Sequence, residues 1–252
     1  MANVNREDLR DYILGKGMDL MGIADPNLFD APPGYNPTDI LPGCRSVIIF
    51  AKAIPRGVFE ALNSRYDLYM HAYERYFAIM DDLALLIAGK LEEAGFLSAP
   101  IPSCTPLHRR DGWYRGIFSL KHAARIAGMG SLGKNYLLIN ERYGPRLRLG
   151  GVLTTAELVP DKPFEESFCE SACQVCIKAC PPRAIKPDKF EQPRCFDHAV
   201  AHPLLKASVI IRFLPRWLQG DSFSQLVTNT LGRPFRVECI ECLIQCPRYQ
   251  VS

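Results

Sequence analysis

Read for apolar periodicity, the first two thirds of the chain resolve into alternating helices and strands. Asn5 precedes a run with Leu9, Tyr12 and Ile13 on one face, Glu7 and Asp8 in its opening turn, and Gly15 and Gly17 at its end, which predicts a capped helix. MDLMGIAD (18–25) follows as a short apolar strand, and the Pro-rich stretch 27–44 reads as a surface connection. SVIIFAKAI (46–54) is a β-branched run short enough for a buried strand. Tyr69, Tyr73, Tyr76, Phe77, Met80, Leu83, Ala84, Ile87 and Leu91 recur at spacings of three and four and predict a long helix over 69–94, stopped by Gly95, with its aromatic stripe in the core.

Ser119 is placed to cap a second helix, LKHAARIA. GMGSLGK (128–134) then offers Gly128, Gly130 and Gly133 in a G-x-G-x-x-G pattern. A dinucleotide fingerprint has to follow a strand and open a helix, whereas this one follows a helix and precedes the strand expected over Tyr136–Ile139. It reads either as a glycine loop able to approach something flat or anionic, or as a helix stop and turn. Arg146, Leu147, Arg148 and Leu149 alternate like a half-buried strand, and the spacing over 136–155 is hairpin-like. Mixed helices and strands of this kind predict an α+β sandwich rather than a doubly wound parallel sheet. This part of the chain shows no internal repeat, and no low-complexity segment occurs anywhere.

The last third changes the picture. Eight of the ten cysteines lie between Cys169 and Cys246, in FCESACQVCIKACPP, PRC and ECIECLIQCPR. Cys180 and Cys246 are each followed by proline, as in ferredoxin-type ligand runs, where three cysteines serve one 4Fe-4S cube and the fourth serves its neighbour. Here the first run is C-x3-C-x2-C-x3-C-P, one residue longer than usual between Cys169 and Cys173, and the second lacks its first cysteine. Crossed sharing gives Cys169, Cys173 and Cys176 the fourth ligand Cys246, and gives Cys239 and Cys242 the partners Cys180 and Cys195. Structural zinc also uses C-x2-C pairs, but the doubled Cys-Pro ending favours two 4Fe-4S clusters. Ile177, Ile185, Ile240 and Ile244 are spaced to shield them. Between Cys195 and Cys239, SVIIRFLPRWL (208–218) reads as a packing helix ahead of a partner surface, and His198 and His202 as ordinary polar residues.

Composition adds limits. With 48% hydrophobic and 23% charged residues the chain is ordinarily globular, and a formal charge of +3 is too small to argue for nucleic acid or a membrane surface. Two clusters with their eight thiolates, each carrying about −2, would bring the loaded protein to roughly −1. The N-terminal stretch has acids where a secretory signal needs an apolar core, and no apolar run has the length of a membrane span. The expectation is therefore a cytoplasmic protein whose cysteines are metal ligands or redox groups rather than disulfides.

MGIADP, ILPGCRSVIIFAKAIP, AARIAGMGSLGKNYLLINERYG, LGGVLTT and the ordered cysteine runs together resemble the epoxyqueuosine reductase and corrinoid reductive dehalogenase superfamily. The resemblance implies a nitroreductase-like α/β sandwich over 1–160 that cradles cobalamin, followed over 161–252 by a ferredoxin-like domain with two 4Fe-4S clusters that reduces it. Gly130, Ser131, Leu132, Gly133 and Lys134 would lie against the cobalamin. The acid that the queuosine enzymes place upstream of the Ala-Gly is out of register: Trp113 stands there, with Asp111 two residues away. Asp111 and Tyr114, in the acid-, base- and aromatic-rich HRRDGWY, are the candidate proton donors. The helical-repeat extension that holds tRNA has no counterpart, so a small-molecule substrate is expected rather than nucleic acid, with a low-potential donor such as ferredoxin or flavodoxin. The alternative is an iron-sulfur electron carrier or corrinoid-activating protein with no substrate chemistry of its own. Cys44 and Cys104 are expected to be buried free thiols.

Overall fold

In the computed structural model the described residues are 5–104, 108–110, 113–201, 236–237 and 239–250. Helix α1 (Arg6–Gly15) begins where Asn5 accepts the amide of Glu7 at 2.9 Å, and buries Leu9 and Ile13. Strands β1 (Leu20–Ala24), β2 (Ser46–Ala53), β3 (Ser98–Ile101) and, later in the chain, β8 (Leu147–Thr154) form one sheet in the order β1-β2-β8-β3, each neighbour antiparallel. The connection between β1 and β2 carries the short helix α2 (Pro37–Ile40), and α3 (Arg56–Glu60) leads from β2 into α4 (Arg65–Glu93). Gly95 ends α4 at a φ of +93°, a left-handed conformation that glycine adopts without cost.

The strand residues point alternately to two helical layers. Ile48, Phe50 and Val152 pack with α1 and with Met80, Leu83, Ile87 and Leu91 of α4, while Val47, Ile49, Leu149 and Leu153 pack with Ala123 and Ala124 of α5 (Leu120–Ile126) on the other face. Gly150 and Gly151 in β8 make this possible. A Cβ on Gly150 would collide with the ring of Phe50 and come within 3.2 Å of the Met80 Cβ; one on Gly151 would lie 2.9 Å from Leu120 Cδ2. Both helices close on the centre of the sheet there.

Four expectations change. The strand β8 is not half-buried: it is internal to the sheet and covered on both faces, because α4 and α5 sandwich it. The strand expected over Tyr136–Ile139 contracts to β7 (Leu138–Ile139), since Tyr136 takes a φ of +59° in a turn. Its partner is β6 (Ser131–Leu132) inside the glycine loop, so the 136–155 region is not a hairpin with β8. Ser119 gives α5 no side-chain cap; its hydroxyl faces His122 Nδ1 at 2.6 Å. A further ribbon pairs β4 (His108–Arg110) with β5 (Trp113–Arg115).

The helix α4 serves two cores. Its second half lies on the sheet, while Tyr69, Ala72, Tyr73 and Tyr76 in its first half join Phe59, Ile139, Ile240, Leu243, Cys246 and Tyr249. The cysteine segment is thus packed onto the sandwich. It runs through α6 (Val175–Ala179) and α7 (Gln192–Ala199), pairs Val200–Ala201 with Arg236–Val237, and continues through the helical turn Glu241–Ile244, which lies beside α6, to a last turn at Pro247–Gln250. Asp161 ties the crossing to the sheet by accepting the amide of Ile23 at 2.8 Å and pairing with Arg6. The 208–218 stretch and His202 lie outside the described residues; His198 is exposed on α7.

Candidate metal centre

The eight cysteines fall into two groups. Burial pushes the thiol of Cys176 up to about 11, and the neighbouring thiols of Cys169, Cys246 and Cys173 push it the same way. Burial, then Cys169 and Cys173, also raises Cys246. In the other group burial raises Cys195 to about 11, helped by Cys180 and Cys239. Cys242 is pushed up to about 12 by burial and then by Cys195 and Cys239. Cys239 is raised by burial, then Glu241 and Cys180, against a backbone hydrogen bond from Glu241 that lowers it. The quartets 169/173/176/246 and 180/195/239/242 therefore each mix the two runs, and Cys176 reaches across to Cys242.

These groups are open ones. Among the described residues no three His, Cys, Asp or Glu side chains close tightly enough for a single metal ion. Ile185 packs with Cys176 and Cys180, and Ile177 lies beside them; Ile240 packs with Cys246, and Ile244 lies beside that pair. The backbone amide of Ala184 donates to the Cys180 sulfur at 3.3 Å.

The glycine loop meets this segment directly. Gly130 has a φ of +149°, and a Cβ there would run into the carbonyl of Ile139; one on Gly133 would lie 2.6 Å from both Asn135 Oδ1 and Ile139 Cδ1. Close packing of the chain on itself uses both glycines. The Ser131 hydroxyl accepts the Phe168 amide at 2.9 Å, and Lys134 Nζ donates to the carbonyls of Glu170, Ser171 and Cys173. Leu132 is half-buried against the α5 side of the sandwich.

Of the two candidate proton donors, Asp111 lies outside the described residues. Tyr114, 9% exposed, is held by Gln192, whose side-chain amide both accepts from the Tyr114 backbone N–H and donates to its carbonyl, each at 2.6 Å. Its ring stacks on Phe196 with centroids 4.1 Å apart, next to Cys195.

Sequence reasoning passed over a cation beside the second quartet. Arg148 lies under the rings of Tyr69, Tyr73 and Phe77, at 5.2, 5.0 and 5.9 Å from their centroids, and donates to the Tyr69 hydroxyl. Among the described residues its Nε is buried without a partner, as is the hydroxyl of Ser103. Beside Ser103, the Cys104 thiol is 3.4 Å from the Tyr73 hydroxyl, and burial raises both groups. Lys121 is lowered by burial and by Arg148, while Cys195 and Cys242 act to raise it. The available signal was the 69/73/77 aromatic spacing on one helix face opposite an arginine in a β-branched sheet. Cys44 is buried, its thiol also raised by burial.

No family model matches the chain. The tetrachloroethene reductive dehalogenase of Dehalobacter restrictus is 31% identical over 188 residues, 72% of this chain and 30% of that protein. An epoxyqueuosine reductase of Gloeobacter violaceus is 30% identical over 158 residues, 62% of this chain and 46% of that one. The chain is a homologue of both. It spans less than a third of that dehalogenase and about half of that reductase. This homologue of the epoxyqueuosine reductases also shares their mixed α/β fold. A solved epoxyqueuosine reductase, crystallised with an epoxyqueuosine-modified tRNA stem loop, matches 97% of this chain and 65% of its own at a TM-score of 0.57, with 21% identity. No helix among the described residues is long and apolar enough to cross a membrane.

Proposed function

We propose that this chain is an iron-sulfur oxidoreductase that passes electrons from two 4Fe-4S clusters to a bound cobalamin for reduction of a small substrate. The observation that carries the reading is the pair of thiol quartets, each drawn from both cysteine runs. Cys169, Cys173, Cys176 and Cys246 would hold one cluster, and Cys180, Cys195, Cys239 and Cys242 the other. Four soft thiolates per site, packed with apolar side chains, is the donor chemistry such clusters take. In this reading the sandwich is nitroreductase-like, the cysteine segment ferredoxin-like, and the division falls near residue 160.

When bound, the clusters supply single electrons and the cobalamin a strongly reducing metal centre. The chain's own residues do the rest. The buried donors Arg148 Nε and Ser103 Oγ, without a partner among the described residues, fit a cofactor edged with amide and carbonyl groups. Tyr114, fixed by Gln192 and Phe196, and Asp111 would supply the proton. The segment's apolar packing buries Cys176, Cys180 and Cys246. A cytoplasmic setting with a ferredoxin or flavodoxin as donor belongs to the same reading.

One observation favours the second reading, an electron carrier or corrinoid-activating protein. Gly130, Gly133, Ser131 and Lys134 are engaged within the chain, which leaves less of the glycine loop to face a cofactor. Anaerobic purification followed by iron, sulfide and cobalt analysis separates the two. About eight irons with cobalt supports the reductase; eight irons with no corrinoid uptake supports the carrier; zinc without iron overturns both. The solved neighbour with a tRNA stem loop makes RNA the competing substrate, so tight binding of such a stem loop to the loaded protein would replace the small-substrate reading.

A further inference from the structure

The first cysteine run has three residues between Cys169 and Cys173 where ferredoxin-type runs have two. The longer turn has to direct its backbone carbonyls somewhere. In this chain they converge. Glu170 O accepts the Cys173 amide at 3.1 Å, and the carbonyls of Glu170, Ser171 and Cys173 all face the ammonium of Lys134, at 3.0, 2.5 and 2.7 Å. An ammonium has three N–H donors, so this contact uses the whole group and leaves none for a corrinoid.

The lysine is itself held from both sides. Two residues before Gly133, Ser131 takes the Phe168 amide, which fixes the chain just ahead of Cys169. On the other side Asn135 donates to the carbonyl of Cys242 at 2.9 Å. Arg248, beyond Cys246, donates to Phe168 O at 3.2 Å and closes the frame. Ser131, Lys134 and Asn135 thus fasten three points of the cysteine segment onto the loop, and Lys134 takes the turn that carries the extra residue.

We infer that Lys134 is the positioning residue of the first cluster site: it folds the enlarged Cys169–Cys173 turn so that both thiols face Cys176 and Cys246, and its charge makes that cluster easier to reduce. The inference rests on the two-cluster reading. The residue acts through the turn and through its field, since net charge near a cluster sets its potential. The second quartet has its own nearby cation in Lys121, which the fields of Cys195 and Cys242 reach.

The test is an anaerobic redox titration of the fully loaded protein followed by EPR, on wild type, Lys134→Met and Lys134→Arg. Wild type without iron removes the two-cluster reading itself. With about eight irons in wild type, Lys134→Met is expected to shift one cluster only, lowering its reduction equilibrium at least tenfold, about 59 mV for one electron. Lys134→Arg, which restores charge and donors, should recover most of that shift. If Lys134→Met instead loses one cluster, leaving about four irons, recovery of the second four in Lys134→Arg supports the inference and failure to recover overturns it. Two unmoved potentials in Lys134→Met also overturn it, as does loss of corrinoid uptake with both clusters unchanged, which would make Lys134 a cofactor contact.

Discussion

Asn135 donates its side-chain amide to the carbonyl of Cys242 at 2.9 Å while its Oδ1 accepts the amide of Leu137, so one side chain, 5% exposed, satisfies a cysteine of the second quartet and a turn of the sandwich. Replacing it by an apolar residue of similar size leaves both backbone groups buried and unpaired, at a cost of about 1–3 kcal/mol each. Asn135→Leu is therefore expected to lower the urea midpoint of the cluster-loaded protein by an amount equivalent to about 2–6 kcal/mol. A midpoint equal to that of wild type would mean that water or backbone movement replaces both bonds.

The crossed quartets make a prediction that sequence neighbours alone would not. Cys246 follows Cys242 by four residues yet acts on Cys176, not on its neighbours. Cys246→Ala and Cys176→Ala should therefore abolish the same EPR signal and leave about four irons, whereas Cys180→Ala and Cys239→Ala should abolish the other. Loss of one signal by Cys246→Ala together with Cys239→Ala would show that each run keeps its own cluster.

Metal removal carries a pH dependence. In the iron-free protein the thiols of Cys176, Cys195 and Cys242 stand at about 11, 11 and 12 against an ordinary 9.0, chiefly through burial. Their folded-state values lie above the unfolded ones, so the folded state binds more protons in between. Stability from this source is fully present below about pH 9 and is lost as pH rises through about 11 to 12. The iron-free protein should thus unfold at lower urea at about pH 10.5 than at about pH 8. In the loaded protein the thiolates are already ligated, and the same step should be much smaller. An equal drop in both forms would assign it to other groups.

How much of this was legible in the sequence depends on whether a property is local. The helix α4 was readable because Met80, Leu83, Ile87 and Leu91 repeat at a period that only a helix turns to one side. The first four residues of that helix, from Arg65, were not, since Tyr66 and Leu68 are exposed and add nothing to the apolar stripe. The spacing of the cysteines and their two Cys-Pro endings suggested a crossed grouping, a pattern that lies in the order of residues and needs no distant contact to be read. By contrast Arg146 and Arg148 disguised a central strand as a half-exposed one. Arg146 is buried and donates to the carbonyl of Ile54 at 2.9 Å, and Arg148 is housed by aromatic rings supplied from α4. Nothing in the order of residues says that Lys134 will find three carbonyls, because that depends on where a turn 36 to 39 residues away is brought.

Arg148 yields the last prediction. Among the described residues it has no carboxylate partner within ion-pair distance, and its stabilisation comes from three rings, the Tyr69 hydroxyl and a long contact to the Leu147 carbonyl. Each such ring contact is worth about 0.5–1 kcal/mol, rising to about 2 when desolvated. Against this stands the unsatisfied Nε, about 1–3 kcal/mol, so the two nearly cancel. Replacing the guanidinium by an apolar chain of similar length removes both terms. Arg148→Met should therefore leave the stability of the cofactor-free protein within about 1 kcal/mol of wild type. If the orphaned Nε is the donor that a corrinoid satisfies, the same variant should weaken cobalamin uptake at least about tenfold, the loss of roughly 1.4 kcal/mol in binding. Uptake equal to wild type would place the corrinoid elsewhere, and a large loss of stability with uptake unchanged would make Arg148 a packing residue of the α4 cage.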